Sequence, residues 1–411
     1  MKILGGTYQE RVTAPEHHED LGGSGFRAAA ALSRMPDVSF TSSMEAAGDA
    51  LFRSGLSALG IAGESVPRDH AISFNYLAPF AEPSISGRPA RLEQPCHVAD
   101  DTVLAFGMIE DGDISVTSER LIYDPQSVTD ARTDQLLRST AGPTALIANA
   151  REVRSIGRRE DVEAAARAAI ADLNLDVVVV KAGARGALVV DATAEDAQWV
   201  GAIPTDEVWK IGSGDAFSAG FAYAWGNGAF PTDATRVASR AAAWCCSTRT
   251  MALPPQLLTG LDVDGLTGTH LDNDGRQPTV YLAGPFFTVA ERWLVDTCRV
   301  FLLEAGANVF SPIHDVGPGA EEVAQADLDG LADSDVVLAL LDGWDAGTLF
   351  ETGWATARNI PIVGVAADLG GIQTTMLAGT NAELHPDVTT ALYRAIWIGL
   401  GTPRRRRARV D

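Results

Sequence analysis

The sequence is poor in cysteine and has no long apolar run. Its four cysteines show no metal-ligand spacing, and two of them, Cys245 and Cys246, are adjacent. This usage predicts reduced thiols in the core and favours a cytoplasmic protein. All apolar runs are shorter than a membrane span, and the first residues do not follow the plan of a signal peptide. We therefore expect neither membrane insertion nor export.

Basic residues are also scarce. Lys and Arg number 32 against 54 Asp and Glu, which gives a formal net charge of −22. An acidic surface repels phosphodiesters, so nucleic acid is not expected as the main partner. The exception is the arginine-rich tail, residues 401–411. A solvated chain end explains this tail more simply than a site for acidic surfaces or nucleic acid does.

What the chain does have is enough apolar content for more than one core. It has 411 residues, of which 46% are hydrophobic, and this length predicts two or more domains. Turn-forming and acidic residues accumulate in one stretch, and we place a linker at residues 263–278. The predicted domains are then residues 1–262 and 279–400.

The first predicted domain alternates between two periodicities. Apolar runs at residues 121–123, 145–148 and 177–180 surround a stretch with helical spacing, residues 160–173. This alternation predicts an α/β fold with a mostly parallel sheet. Residues 70–118 are less regular, and we interpret them as a lid or edge structure.

A short glycine-containing motif carries the chemical signal of this domain. Gly212, Ser213 and Gly214 precede Asp215 at the start of a helix expected over residues 216–225. Small residues let backbone N–H groups converge on an anion, and the helix dipole adds to the attraction. Asp215 would then accept a proton from an attacking hydroxyl group. Ordinary helix capping by Asp215 is the simpler alternative.

Three further motifs accompany this loop in a fixed order. A diglycine, Gly22-Gly23, precedes an alanine-rich helix, an Asn-x-x-Glu motif ends at Glu152, and a glycine turn follows Lys181. With the Gly-Ser-Gly-Asp loop they resemble the ribokinase-like (PfkB-type) family of sugar and nucleoside kinases, over about residues 1–253.

This resemblance implies a ribokinase-like α/β fold, with ATP as co-substrate and Mg²⁺ as cofactor. It also implies a role for each motif. The implied site residues are Gly22 and Gly23 for the substrate, Asn149 and Glu152 for magnesium and phosphate, Gly183, Gly212, Ser213 and Gly214 for ATP and its phosphates, and Asp215 as the catalytic base.

The sequence departs from this family on the sugar side. Arg27 stands where an Asn usually follows the diglycine, and Glu10 stands roughly where a substrate-binding Asp is usual. Trp209 and Lys210 replace an Asp-Thr pair before the anion-binding loop. These departures leave the phosphate machinery in place. They also leave open a domain that binds a nucleotide without turning it over.

The second predicted domain has a strand, a loop and a helix start in residues 336–353. The apolar run 336–341 is followed by a glycine-containing loop with Asp345 and then by Glu351, which places both carboxylates at the carboxyl end of a buried parallel strand. We expect Glu351 in the first helical turn, where the dipole favours its ionised form. An ionised, sheltered carboxylate is a suitable nucleophile for a glycosidic carbon. The alternative is a capping box, in which Glu351 bonds back to Thr348.

A second strand runs into a Gly-Pro loop at residues 281–286. In this order the motifs resemble the nucleoside 2-deoxyribosyltransferase family, and the resemblance implies a smaller doubly wound, flavodoxin- or Rossmann-like domain with a parallel sheet. It also implies that Tyr281 lies beside the catalytic Glu351, that Asp345 holds the sugar and that Asp327 handles the nucleobase. A solvated helix face is the alternative for Asp327.

In that family an Asn of a neighbouring subunit completes the sugar site. Asn381 is a loose candidate for it, and we expect a homo-oligomer.

Together the two resemblances predict a bifunctional enzyme that acts on a nucleoside or sugar and on ATP. Glu351 would cleave an N-glycosidic bond of a (deoxy)nucleoside, or transfer its base, and the first predicted domain would phosphorylate the pentose with Mg-ATP. One alternative is a nucleoside kinase followed by a nucleotide N-glycosidase. Another is a nucleotide-sensing domain that gates a nucleotide- or NAD-consuming glycosidase. We favour nucleoside cleavage first, because Asp345 near the 5′ end would repel a phosphate.

Overall fold

A computed structural model describes most of the chain. The described residues are 1–126, 133–261, 263–264, 266, 268–272, 275–319, 323–369, 375–380 and 382–401. The basic tail beyond residue 401 and the candidate Asn381 lie outside them. The chain divides into two compact units, unit 1 with residues 1–182 and 186–272, and unit 2 with residues 183–185 and 273 onward.

Unit 1 is an α/β structure with two sheets. Its strands are β1 Lys2–Leu4, β2 Tyr8–Val12, β3 His18–Gly22, β4 Ser39–Met44, β5 Ala62–Pro67, β6 Ser73–Tyr76, β7 Ser84–Ser86, β8 Cys96–Phe106, β9 Ile114–Asp124, β10 Thr140–Ala141, β11 Thr144–Asn149, β12 Val177–Lys181, β13 Ala187–Asp191 and β14 Gln198–Val200. Its helices are α1 Ser24–Ala31, α2 Asp49–Leu59, α3 Asp134–Leu137, α4 Ala150–Gly157, α5 Val162–Leu173, α6 Ser213–Gly226, α7 Pro231–Thr248 and α8 Pro255–Leu258.

The large sheet of unit 1 runs in the order β14-β13-β12-β11-β9-β8-β1-β4-β5, and β10 pairs with β9. All its pairs are parallel except β12 with β13 and β13 with β14. Side chains of β11 alternate between two cores: Ala145 and Ile147 join one, Leu146 and Ala148 the other. Burial on both faces explains why residues 145–148 of this strand are all apolar.

The predicted elements of unit 1 are confirmed at the level of fold class. The runs at 121–123, 145–148 and 177–180 lie in β9, β11 and β12, and the helix expected over 160–173 is α5. The irregular region 70–118 contributes strands to two different sheets. Strands β6 and β7 join β2 and β3 in a separate four-stranded sheet, whereas β8 and β9 lie inside the large sheet.

Part of the segment that the sequence predicts as a linker packs on unit 1. Leu266 is buried in its core, and the Leu271 N–H group donates to the Ala202 carbonyl at 2.8 Å. Turn-rich composition therefore did not prevent this segment from docking.

Unit 2 is a smaller doubly wound domain. Its strands are β15 Thr279–Ala283, β16 Asn308–Phe310, β17 Val336–Leu340, β18 Ile362–Val365 and β19 Glu383–His385. Its helices are α9 Val289–Glu304, α10 Pro312–Asp315, α11 Ala324–Ala332, α12 Ala346–Ala357, α13 Thr375–Gly379 and α14 Val388–Gly399. A short 3₁₀ turn, Gly183–Arg185, clusters with this unit.

The five strands of unit 2 are all parallel, in the order β16-β15-β17-β18-β19. In chain order this is 2-1-3-4-5, the flavodoxin-like arrangement. The strand order reverses between β15 and β17, and folds of this kind bind ligands outside the carboxyl ends of the strands at that point. Among the described residues, no helix combines the length and the apolar character that crossing a membrane requires.

Candidate active sites

The crevice between β15 and β17 in unit 2 contains a hydrogen-bonded tyrosine–glutamate pair. Tyr281 on β15 donates its hydroxyl hydrogen to Glu351 Oε1 at 2.7 Å. The Tyr281 ring is fully buried and stacks on Phe310, with ring centroids 5.5 Å apart. Because β15 and β17 are neighbours, the fold joins two residues that are far apart in the sequence.

The expected position of Glu351 in its helix is wrong, and the capping-box alternative does not form either. Helix α12 begins at Ala346, so Glu351 lies in its second turn, not its first. The helix cap is Asp345, whose Oδ2 accepts from the Thr348 N–H group at 2.8 Å and from Thr348 Oγ1 at 3.0 Å. Asp is as good an N-cap as Thr, and it starts the helix earlier. The capping box does not form, and the Glu351 carboxylate bonds to Tyr281 instead.

The ionisation of Glu351 also differs from the expectation. Burial raises its pKa to about 7; the Tyr281 hydrogen bond lowers it, and the nearby charges of Asp327 and Asp345 raise it. Desolvation therefore outweighs any help from the helix dipole. For Tyr281, burial and the Glu351 charge raise the pKa, so it stays a hydrogen-bond donor.

Asp327 on α11 completes this group of carboxylates. Its Oδ1 atom is buried and has no hydrogen-bond partner within the described part of the chain. Burial raises its pKa, and its charge acts on both Tyr281 and Glu351. A buried carboxylate oxygen without a partner can receive a donor from a ligand. A fully solvated helix face does not describe this residue.

In unit 1 the anion-binding loop begins α6. Gly212 has a φ of 87°, which suits glycine, and the helix starts at Ser213. The Ser213 N–H group and hydroxyl both donate to the Lys210 carbonyl, at 3.1 and 2.8 Å. First-turn N–H groups have no acceptor within their own helix, so Gly214 and Asp215 present the N–H groups for an anion.

Asp215 is buried in the first turn of α6. It does not cap the helix, because the cap position is Gly212. Its Oδ2 accepts from Arg27 Nη1 at 2.9 Å, and its Oδ1 lies 3.5 Å from Gln126 Nε2. The candidate base is therefore already held in an ion pair.

The diglycine makes room for Glu10. Glu10 Oε1 accepts from the Gly23 N–H group at 2.8 Å, and Oε2 accepts from Arg27. A Cβ atom on Gly22 would lie 2.4 Å from the Glu10 carboxylate carbon, so a side chain there would displace it. Gly22 and Gly23 thus position Glu10, and Glu10 holds Arg27.

Asn149 and Glu152 form a reciprocal capping box at the start of α4. Asn149 Oδ1 accepts from the Glu152 N–H group at 2.9 Å, and Glu152 Oε2 accepts from the Asn149 N–H group at 2.7 Å. Both lie at the carboxyl end of β11. Within the described residues no group of three or more acidic, His or Cys side chains could hold a metal. A Mg²⁺ ion here would therefore need phosphate and water ligands, and hard carboxylate oxygens suit it.

An ion pair that the sequence motifs do not mark lies beside this box. Lys181 Nζ donates to Asp124 Oδ2 at 2.6 Å, and Ser218 Oγ donates to the same oxygen at 2.7 Å. Asp124 is fully buried, and its Oδ1 has no partner among the described residues. Burial lowers the pKa of Lys181, but the charges of Asp124, Glu152 and Asp215 outweigh it, and the pKa is raised.

Lys181 is placed to contact a phosphate. Its Nζ lies 3.9 Å from the position that a Cβ on Gly214 would occupy, next to the anion-binding loop. A signal for this pair was present, because Asp124 and Lys181 each end an apolar strand at the same edge of the sheet. Gly183, with a φ of 55°, follows in the turn after β12.

A cavity of about 170 Å³ lies on the sugar side of unit 1. Trp209 forms part of its wall, with the His18 ring 5.5 Å away and the Arg249 guanidinium 5.0 Å above its ring. Glu10 and Arg27 also line it. Trp209 stands where an Asp is usual in the family that unit 1 resembles, and it makes part of the cavity wall aromatic.

Both family resemblances are confirmed by comparison with family models. Residues 115–256 match the pfkB family of carbohydrate kinases, and residues 280–385 match nucleoside 2-deoxyribosyltransferase. No curated protein matches the chain significantly. The protein is thus an enzyme in which a domain of the pfkB carbohydrate-kinase type is fused to a domain of the nucleoside 2-deoxyribosyltransferase type.

Several solved structures are similar to part of this chain, and the first of them reaches a TM-score of 0.50. A candidate ribokinase from Agrobacterium tumefaciens is 17% identical, with a TM-score of 0.50 over 63% of this chain and 96% of that one. Ribokinase from Thermotoga maritima is 16% identical, with a TM-score of 0.47 over 63% of this chain and 97% of that one. Arabidopsis thaliana ribokinase, solved with ribose and ATP, is 17% identical, with a TM-score of 0.48 over 63% of this chain and 97% of that one. At such identity the likeness concerns the fold alone.

Proposed function

We propose that unit 2 breaks the N-glycosidic bond of a (deoxy)nucleoside and that unit 1 phosphorylates the released pentose with Mg-ATP. The observation that carries the first half is the hydrogen-bonded Tyr281–Glu351 pair, with Asp327 and Asp345 within electrostatic reach. Titratable groups with shifted pKa values, gathered at a switch point between strands, are typical of a catalytic site.

In the glycosidase step, Glu351 attacks the anomeric carbon. Tyr281 holds Oε1, so Oε2 forms the new C–O bond while the C–N bond breaks and its electron pair leaves with the base. Asp327, whose pKa is raised, gives the base a proton. Water or a second base then releases the sugar from the glycosyl–enzyme ester.

In the kinase step, Asp215 takes the proton of the attacking hydroxyl group. The N–H groups of Gly214 and Asp215 and the Lys181 ammonium stabilise the transferring phosphoryl group. Asn149 and Glu152 would hold Mg²⁺ through phosphate and water, and the ion would supply further charge neutralisation. The cavity of about 170 Å³, which Glu10 and Arg27 line, supports a small polar acceptor such as a pentose.

Base release should depend on pH through Glu351. The active form needs Glu351 as the carboxylate and Asp327 protonated, so kcat/KM should follow a bell-shaped pH profile with one limb at the Glu351 pKa of about 7. Tyr281→Phe removes a hydrogen bond that lowers this pKa and should move the midpoint to higher pH. Rates from about pH 5 to 9 for both proteins check this. A profile that is flat through pH 7 would contradict it.

The order of the two steps can be read from Asp345. Repulsion by its carboxylate would raise the free energy of a bound phosphate dianion by a few kcal/mol at ~4 Å and intermediate dielectric. Each ~1.4 kcal/mol changes the rate tenfold. We expect good cleavage of nucleosides and poor cleavage of their 5′-monophosphates. Asp345→Asn should weaken nucleoside cleavage and narrow that gap.

The control for this variant is Asp342→Asn in the same loop, whose Oδ1 accepts from the Ala367 N–H group. It should leave the preference unchanged. If Asp345 only caps α12, its Asn variant would behave like the control. If the wild-type protein prefers monophosphates, a nucleoside kinase acts first and unit 2 is a nucleotide N-glycosidase.

A second candidate function follows from the Arg27–Asp215 ion pair. A base that is held by a buried cation fits a domain that senses a nucleotide and gates a nucleotide- or NAD-consuming glycosidase. Measuring ATP turnover against ATP binding on the full chain separates the two, since a sensor binds ATP without consuming it.

One experiment tests the whole proposal. The protein is incubated with a panel of nucleosides and nucleotides, with and without Mg-ATP, and the products are identified by mass. We expect free base and pentose without ATP, and pentose phosphate with it. Phosphorylated nucleoside as the first product, or no free base under any condition, would overturn the proposal.

A further inference from the structure

Arg27 on α1 stands between two carboxylates of unit 1. Its Nη2 donates to Glu10 Oε2, and its Nη1 donates to Asp215 Oδ2 at 2.9 Å. All three side chains are at most 13% exposed. Burial lowers the pKa of Arg27, but Glu10 and Asp215 outweigh it, so the guanidinium keeps its charge.

The same side chain separates Asp215 from the cavity. Arg27 and Glu10 line the 170 Å³ cavity, whereas Asp215 is not among the described residues that line it. The Arg27 Cδ atom lies 2.9 Å from the position of a Cβ on Gly212, so its aliphatic part packs against the anion-binding loop. A ligand in the cavity therefore meets Arg27 before it meets the base.

This arrangement conflicts with general-base catalysis. Asp215 Oδ2 is occupied by Arg27, and a hydroxyl group must reach that carboxylate before it can lose its proton. Accepting the proton would also remove the charge that pairs with a buried guanidinium, which is unfavourable.

We propose that Arg27 controls access of the phosphoryl acceptor to Asp215. The guanidinium must leave Asp215 before transfer, and Glu10 keeps it paired when it does. Which acceptors are phosphorylated then depends on which of them can displace Arg27. This inference rests on the proposed kinase function of unit 1.

Water is the acceptor that tests this without a known substrate. Arg27→Asn in the full chain opens the path to the base, so Mg-ATP hydrolysis without sugar should rise at least about tenfold, since a positioned base contributes about 10²–10⁴ in rate. Adding Asp215→Asn should remove the gain. ATP affinity should stay within about threefold of wild type, because Arg27 lies on the acceptor side.

Arg53→Asn is the matched control. Arg53 also pairs with an aspartate, Asp49, but on the surface of α2, and its loss should not change ATP hydrolysis. Arg27→Gln repeats the test with a longer neutral side chain if the Asn variant does not fold. The proposal is overturned if the folded variants bind ATP but hydrolyse it no faster, or if the gain survives Asp215→Asn.

The outcome also separates this inference from the kinase proposal. If Arg27→Asn hydrolyses ATP faster yet phosphorylates no pentose, Arg27 controls Asp215 and the proposed acceptor is wrong. If the wild-type protein phosphorylates pentose and Arg27→Asn lowers that rate without raising hydrolysis, the kinase function stands and the role of Arg27 is wrong.

Discussion

Glu351→Gln should abolish release of the nucleobase while the protein stays folded. The amide keeps the shape of the side chain and a hydrogen bond to Tyr281, but it is not a nucleophile. Loss of a nucleophile costs on the order of 10⁴–10⁶ in rate. Measuring free base by chromatography for wild type and variant checks this. Near-normal release would show that another group attacks the sugar.

The same variant should be more stable than wild type at high pH. The pKa of Glu351 is about 7 in the folded protein, above the ordinary glutamate value of 4.5, so folding favours the protonated form. Stability is unaffected below about pH 4.5, falls as pH rises to 7, and is lower above it by about 3 kcal/mol. Gln cannot ionise, so above pH 7 the Tm of the variant should be higher than that of the wild-type protein. Glu304→Gln, at the exposed end of α9, should leave the rate of base release unchanged.

Asp215→Asn should abolish phosphoryl transfer and retain ATP binding. A general base contributes about 10²–10⁴ in rate, whereas the N–H groups of the loop and Lys181, which hold the phosphates, are unchanged. Initial rates of pentose phosphorylation and calorimetric ATP titration measure the two quantities.

The matched control for Asp215 is Asp233→Asn. Asp233 is also an acidic residue in the first turn of a helix, α7, but it is exposed. This control should keep full activity. A loss of only a few-fold in Asp215→Asn would be too small for a base and would leave the residue a structural role.

Much of the fold could be predicted because the signals are local. The runs that became β9, β11, β12 and β17 are apolar at every position, as strands buried on both faces must be. Glycine-containing loops after strands mark the edge where ligands bind. These patterns gave the α/β class of both units and the neighbourhood of both sites.

Local pattern failed where two local rules competed. Thr348 and Glu351 fit a capping box, but Asp345 fits the N-cap equally well. The helix starts three residues earlier with Asp345 as its cap, and this shift decides which turn contains Glu351. The sequence offers no way to choose between them. In the structure the choice follows from Tyr281, which takes the Glu351 carboxylate as its acceptor.

The sequence by itself determined the fold class, the strand and loop positions, and the residue types that carry the chemistry. Only the tertiary structure decided their partners and their charge states. Arg27 meets Asp215 across 188 residues, and Tyr281 meets Glu351 across 70. The reason is physical: hydrophobic periodicity is a property of neighbours in the chain, whereas desolvation and Coulomb energy depend on whatever surrounds a group in space.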